Sequence, residues 1–454
     1  MAVYALTEQA RAPETREMTE PRSRLLTRFV TSATRIEPHE LRATLLSFTF
    51  VFVLMAAYFI LRPVRDAMSS DWSDVELSTL WSSTFLFSVI AVSIYGAVIS
   101  RVKFRYLVPG VYGFFAASFI AFYFLSSFVQ DSTSVDKAFY VWLSVFSLFH
   151  VSVFWSFMSG LYSTEQAPRL FGFIGAGASI GAIVGPTIPA FFADDLGTMN
   201  LMLIASVLLL VPIPIIALLE KLKVGELGNA DLHADLGAQQ KLGKNPFSGF
   251  MLFIRDPFLL AIGVFILLYV VMNTFIYFEL RKLLAAFDRD TRTQIWAGMD
   301  LAVNSLAIVT AMFVTSRLTT RFGMAATLAL IPVLMIGGWL VVAAVPLLAV
   351  LAGMQIVRRA GNYAITRPGR EMLFTQVDAE IRFKAKPVID IVVYRGGDMA
   401  TAWAYTALTT VFGLGLTGIG LVAAVMAAVW AVAGIFLGRS YRQSEPAAAA
   451  PIDG

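Results

Sequence analysis

Apolar runs of about twenty residues alternate along the chain with short polar breaks, and the alternation occurs twelve times. The runs are 43–64, 77–99, 106–128, 138–162, 170–193, 199–219, 257–279, 294–316, 323–344, 346–366, 387–411 and 414–437. At a rise of about 1.5 Å per residue each is long enough to cross a hydrocarbon core of roughly 30 Å. Inside a bilayer the backbone must satisfy its own hydrogen bonds, so every run is predicted to be a helix. Six runs precede the polar segment 220–256 and six follow it. That segment mixes Glu220, Lys221, Lys223, Glu226, Asp231, His233, Asp235, Lys241 and Lys244 with Gly and Asn, and reads as a solvated linker. The predicted organisation is all-α and membrane-integral: a tail over 1–42, a six-helix bundle over 43–219, the linker, a second bundle over 257–437 and a tail over 438–454.

The two bundles are copies of one unit. Tyr58-Phe-Ile-Leu-Arg62 returns as Tyr277-Phe-Glu-Leu-Arg281, Leu80-Trp81 as Ile295-Trp296, and Ser100-Arg101 through Arg105-Tyr106 as Ser316-Arg317 through Arg321-Phe322. Glu165 and Arg169 align in the same order with Asp378 and Arg382. Two direct repeats in a long apolar chain are the pattern of a secondary transporter whose halves are related by an axis along the membrane normal.

Composition agrees: with 57% hydrophobic and 15% charged residues and a mean hydropathy of +0.72, there is too little polar surface to coat a globule in water. The net charge of +4 is a matter of which side carries it. With both termini inside, the tails and inner loops hold 25 Lys and Arg against 7 on the other side, a bias that predicts cytoplasmic termini and an inner-membrane protein rather than a nucleic-acid binder. No removable signal peptide is expected, and Leu25, Leu26, Phe29 and Val30 form one face of a possible interfacial helix in the first tail. The chain has no cysteine, which excludes disulfides and thiolate metal sites. Of its three histidines only His150 lies in a run, with no acid at i+3 or i+4, so no metal centre, cofactor or catalytic triad is expected and the chain does not read as an enzyme.

Candidate chemistry lies in polar residues that apolar runs should not contain, because an ionised group at mid-bilayer costs about 2.5–3.5 kcal/mol on insertion scales. The tenth run carries Arg358 and Arg359, followed by Asn362, Tyr363, Thr366 and Arg367. Helical spacing puts Arg359 on a face with Asn362, Tyr363 and Thr366 and turns Arg358 about 100° away, so the two cannot address the same neighbouring helix. Run eleven carries Asp390, Tyr394, Arg395 and Asp398, with Gly396 and Gly397 beside the arginine; run eight carries Asp300 and Asn304 on one face. Asp300, Asp390 and Asp398 are candidates to carry a proton or to compensate an arginine. Tyr58, Arg62, Arg65 and Asp66 match Tyr277, Glu279, Arg281 and Lys282 at the exits of runs one and seven, as cavity lining or as interface anchors. In run five, Gly172, Gly175, Gly177, Gly181 and Gly185-Pro186 form a small-residue stripe that helix packing suffices to explain.

Tyr58-Phe-Ile-Leu-Arg-Pro-Val-Arg-Asp66, Glu165-Gln-Ala-Pro-Arg-Leu-Phe-Gly-Phe-Ile-Gly-Ala-Gly177, and Lys384-Ala-Lys-Pro-Val-Ile-Asp390 through Tyr394-Arg-Gly-Gly397 resemble the signature regions of the ATP/ADP translocase (nucleotide transporter) family. That family is related to the major facilitator superfamily. The resemblance implies a twelve-span, major-facilitator-like fold, nucleotide exchange, and substrate-handling roles for Arg65, Glu165, Glu279 and Arg395; both arginines stand where the family usually has lysine. From the residues alone, Arg65, Arg358, Arg359 and Arg395, with Tyr394, suit an anionic small-molecule substrate with several charges, because a guanidinium binds phosphate as a planar fork. A proton-coupled carrier of another organic solute is the alternative, and would lean on Asp300, Glu279 or Asp390. Oligomeric state is not legible.

Overall fold

The computed structural model describes residues 36–99, 104–129, 132–163, 165–229, 248–374, 377 and 388–443. The basic loop at Ser100–Lys103, the first tail to Arg35 with its candidate interfacial helix, and the linker core at 230–247 lie outside them. Twelve spanning elements follow in order: α1 Leu41–Met68, α2 Asp74–Ile99, α3 Phe104–Phe128, α4 Thr133–Leu161, α5 Ala167–Leu196, α6 Thr198–Gly225, α7 Pro257–Leu284, α8 Arg289–Phe313, α9 Thr315–Ala344, α10 Leu348–Leu373, α11 Val388–Thr410 and α12 Leu416–Gln443. Ten are individually long and apolar enough to cross a membrane; α10 and α11 are the exceptions. Both depart from α-helical winding, α10 over Asn362–Thr366 and α11 over Val388–Gly396, where the turns widen to π geometry. Such wide turns are concentrated at functional sites, and these two elements carry most of the candidate residues.

Several boundaries move. α1 runs to Met68, past the predicted end at 64, so Arg65 and Asp66 lie within the helix with Arg62. α7 likewise runs to Leu284, putting Arg281 and Lys282 in its last turn. The flanks of the expected linker are helical: α6 continues to Gly225, and Ser248–Arg255 forms a short helix ahead of α7. Local chemistry sets the starts of the second bundle. Asp256 accepts from the Phe258 and Leu259 amides at 2.8 and 3.2 Å ahead of Pro257, and Asp288 accepts from the Thr291 amide at 2.9 Å, which satisfies donors that a helix start leaves open.

With twelve spans, Ile36, Gln443 and both flanks of the linker fall on one side, the terminal face; the other is the opposite face. The bundles meet along two seams, α5 and α1 against α8, and α2 against α11. The glycine stripe of α5 packs on α1 within the first bundle. Ideal Cβ atoms at Gly177, Gly181 and Gly185 would lie 2.6, 2.3 and 2.6 Å from the carbonyl oxygens of Phe48, Phe52 and Ala56. These distances are below any tolerable contact, so only glycine permits the approach, and close backbone packing is the main adhesive between helices in lipid. Gly181→Val is expected to destabilise the protein by about 1–3 kcal/mol or more, read as a lower melting temperature in detergent; an unchanged temperature would refute this account of the stripe.

Candidate functional site

Two connected cavities lie between the bundles. The smaller, of about 130 Å³, is lined by Arg62, Arg65, Asp66, Trp81, Tyr140, Ser144, Asn273, Tyr277, Gln355, Arg395 and Asp398 among others. The larger, of about 470 Å³, includes Ser147, Phe265, Tyr269, Asn362, Tyr363, Arg367, Arg370 and Tyr394. Arg395 lines both and stands at their junction. Thr366, Arg367 and Arg370 lie toward the terminal-face end of α10, so the larger cavity lies on that side and the smaller one is its deep end.

Charge at the deep end is arranged around two buried carboxylates. Asp66 takes the Arg65 Nε and Nη2 on Oδ1 at 3.0 and 2.7 Å and lies 3.6 Å from Arg62, while Tyr277 of the other bundle donates to it at 3.1 Å. Arg65 also donates to Ser144 Oγ at 3.2 Å and lies over the Tyr140 ring at 5.3 Å. Asp300, midway along α8, bridges the bundles: Arg359 donates to its Oδ1, and Arg62 approaches the same atom at 3.3 Å. An ionised carboxylate buried this deeply is tolerable only with such partners.

The two adjacent arginines diverge as the helical spacing requires. Arg359 reaches Asp300 on α8, whereas Arg358 turns to α7, donating through Nη2 to Asn273 and Gln355 at 2.7 Å each with its guanidinium 5.1 Å from the Tyr269 ring centre. Neither lines a cavity directly; both stand one layer behind the lining. Arg358 is fully buried with no carboxylate in contact, and its Nε and Nη1 have no hydrogen-bond partner, as has Nη2 of Arg359. Arg395 donates to Ser147 Oγ of the first bundle at 3.2 Å and is 3.9 Å from Asp398, whose Oδ1 is buried without a partner. A Cβ at Gly396 would meet nothing, while one at Gly397 would touch Leu267 at 3.1 Å, so the pair serves packing on one side and open space on the other.

The opposite face is sealed by ion pairs that join the bundles. Asp74 at the start of α2 takes Arg281 and, at 2.9 Å, Lys282, and accepts from Thr409 at 2.8 Å. Asp71 takes Arg289 at 2.9 Å and Arg292 at 2.5 Å, and Asp136 takes Arg289 at 3.0 Å. Arg281 further donates to the Trp72 carbonyl at 2.5 Å, and Thr198 to Asp290 at 2.6 Å. Among the described residues, every ion pair between the bundles lies in this seal or at the Asp300 bridge. These ion pairs close the opposite face, and among the described residues none of their kind joins the bundles at the terminal face.

The candidates thus divide. Arg65, Arg395 and Asp398 line the deep cavity and Tyr394 the wider one; Asp300, Arg358 and Arg359 support them from behind. Glu279 is placed away from the cavity, accepting from the Tyr405 hydroxyl beside the seal. Glu165 is exposed at the terminal-face end of α5 and does not join the cluster. Asp390 lies within α11, but its side chain is outside the described ones. Arg281, the repeat partner of the cavity-lining Arg62, closes the seal instead, together with Lys282. Asp66, Tyr277, Asn273 and Gln355 carry more of the site than their sequence context suggested; Asn273 and Gln355, amides inside apolar runs, were the available signal.

Two helical bundles flanking a cationic cavity are the architecture of a secondary carrier. The chain belongs to the major facilitator superfamily: the Major Facilitator Superfamily profile matches residues 43–366. Among solved structures it is similar to a point mutant of the nucleoside transporter NupG, at 16% identity and a TM-score of 0.61 over 88% of this chain and 99% of that one. It is also similar to NupG itself, at 12% identity and a TM-score of 0.58 over 88% and 99% of the chains. A bacterial homologue of the human lysosomal transporter Spinster, inward-facing and unoccupied, aligns at 12% identity and a TM-score of 0.55 over 90% and 98%. At these identities the likeness establishes the fold. No curated protein matches by sequence.

Proposed function

We propose that the protein transports a polyanionic solute of the nucleotide class by alternating access, with the terminal face cytoplasmic. The observation that carries this reading is the convergence of Arg62 and Arg65 from one bundle and Arg395 from the other on a single deep cavity. Guanidinium groups with unmet donors bind phosphoryl oxygens through short, charge-assisted bonds worth about 1.5–3 kcal/mol each. A substrate touching both bundles would couple its binding to their rocking about the α5–α8 and α2–α11 seams, opening the ion-pair seal as the terminal side closes. Exchange of one nucleotide for another, in the manner of the ATP/ADP translocases whose signature regions the chain resembles, follows from a cavity that is electropositive when empty. Asp66 and Asp300 are each held by two cations, so a proton-coupled carrier, the second reading, would rest on Asp398, the loosely held carboxylate of the cavity.

In proteoliposomes, labelled nucleotide uptake is expected to be stimulated by internal nucleotide and suppressed by external nucleotide, with the matching nucleoside competing at least about 10-fold more weakly. Equal competition by the neutral nucleoside, or none by any phosphorylated compound, would overturn the reading.

A further inference from the structure

At its deep end, leaving aside Arg367 and Arg370 of the wider cavity, the site is short of negative charge among the described side chains. Arg62, Arg65 and Arg395 line the deep cavity, and Arg358 and Arg359 lie directly behind it, each bonded to a group that faces the cavity or bridges to one that does. Against these five cations, the described side chains set three acids, Asp66, Asp300 and Asp398, leaving two positive charges unmatched. The seal is different. Its four cations Arg281, Lys282, Arg289 and Arg292 lie among five acids, Asp71, Asp74, Asp136, Glu279 and Asp290. The same fold therefore gives every cation an acid where it only has to close and withholds that match where the cavity is. The unpartnered Nε and Nη1 of Arg358 and Nη2 of Arg359 show the shortfall as missing bonds.

Uncompensated buried charge is costly, and a ligand that supplies the missing charge relieves it; a ligand carrying more charge than the deficit must bury the excess unpaired. Deepening the reading under Proposed function, we propose that the substrate is a dianion with a single phosphate monoester group seated among Arg62, Arg65 and Arg395, and that Asp398 sets this charge preference. The organic part then occupies the wider 470 Å³ cavity beyond Arg395. Asp398 is the adjustable member of the three acids. Asp66 and Asp300 are bonded into both bundles, whereas Asp398 is 3.9 Å from its one arginine, three residues away on the same helix, with Oδ1 free.

The test is a thermal-shift titration of the purified full chain with a nucleoside and its mono-, di- and triphosphate, at about pH 8, where a phosphate monoester is fully ionised. The wild type should bind the monophosphate best, with no gain from further phosphates. Asp398→Asn, which adds one positive charge, should move the preference to the diphosphate, shifting the di-to-monophosphate affinity ratio by roughly 10-fold or more. Asp398→Glu should restore the wild-type order, a result that a purely structural role for Asp398 does not produce. Affinity rising stepwise from mono- to triphosphate in the wild type would overturn the inference and leave the nucleotide reading intact. The same order of preference in wild type and Asp398→Asn would remove Asp398 from its role. Binding by none of the phosphorylated series would overturn the nucleotide reading itself. If Asp398→Asn does not fold, the wild-type series and Asp398→Glu decide.

Discussion

Arg395→Ala is expected to abolish uptake while the protein remains inserted and folded. The two halves of this expectation rest on different contacts. Structurally, Arg395 makes only a 3.2 Å bond to Ser147 and a 3.9 Å approach to Asp398, both partly solvated by the cavities, so its removal orphans little. Functionally it stands at the junction of the cavities, where a substrate must pass or settle. A guanidinium fork that makes two charge-assisted bonds at about 1.5–3 kcal/mol each is worth roughly 100-fold or more in binding. Arg395→Lys keeps the charge and loses the fork, and should fall between wild type and alanine. Uptake at the wild-type rate in a well-expressed alanine variant would show that Arg395 is merely a helix anchor.

The second large effect is expected at the seal. Asp74 holds Arg281 and Lys282 of α7 together with Thr409 of α11, so a single carboxylate of the first bundle ties down two helices of the second. In Asp74→Ala the nearly buried Arg281 keeps its bond to the Trp72 carbonyl but loses its counter-charge, and breaking a buried pair from one side costs about 3–5 kcal/mol. That cost falls on the state closed on the opposite face and shifts the population toward the open one. Because the chain contains no cysteine, a cysteine placed at Thr84 on the cavity lining is a unique reporter. An impermeant maleimide added from the opposite face should label it slowly in the otherwise wild-type protein and at least about 10-fold faster with Asp74→Ala. Equal rates would show that the ion pairs do not hold the seal.

The fold was legible because lipid imposes one rule on every span. An apolar run of twenty residues has little choice but to be a helix, and the repeated Tyr58–Arg62 and Tyr277–Arg281 segments fixed how the halves correspond. Divergence of Arg358 from Arg359 was also legible, since it needs only the helical period. What the period could not give is which neighbour each residue meets. Arg62 and Arg281 are equivalent in the repeat, yet one reaches Asp300 behind the cavity and the other Asp74 in the seal, because the helices around them differ in what they offer. The same limit hid Asp66: its sequence position is a helix exit, and the extra turn of α1 toward Met68 puts it inside. Glu165 shows the reverse case, a residue carried by family resemblance whose place at the end of α5 keeps it from the cavity.

On the proposed charge balance, the protein also answers to voltage. A wall with two unmatched positive charges that changes its exposure from one face to the other moves those charges through part of the membrane field, at about 2.3 kcal/mol per charge for a full crossing at 100 mV. Seating the proposed dianion would cancel the moving charge and leave the loaded step indifferent to the potential. The empty return is not. The membrane potential then acts as a brake or a drive on the unoccupied carrier alone, and the electrical state of the cell sets how tightly inward and outward movements of substrate are tied together.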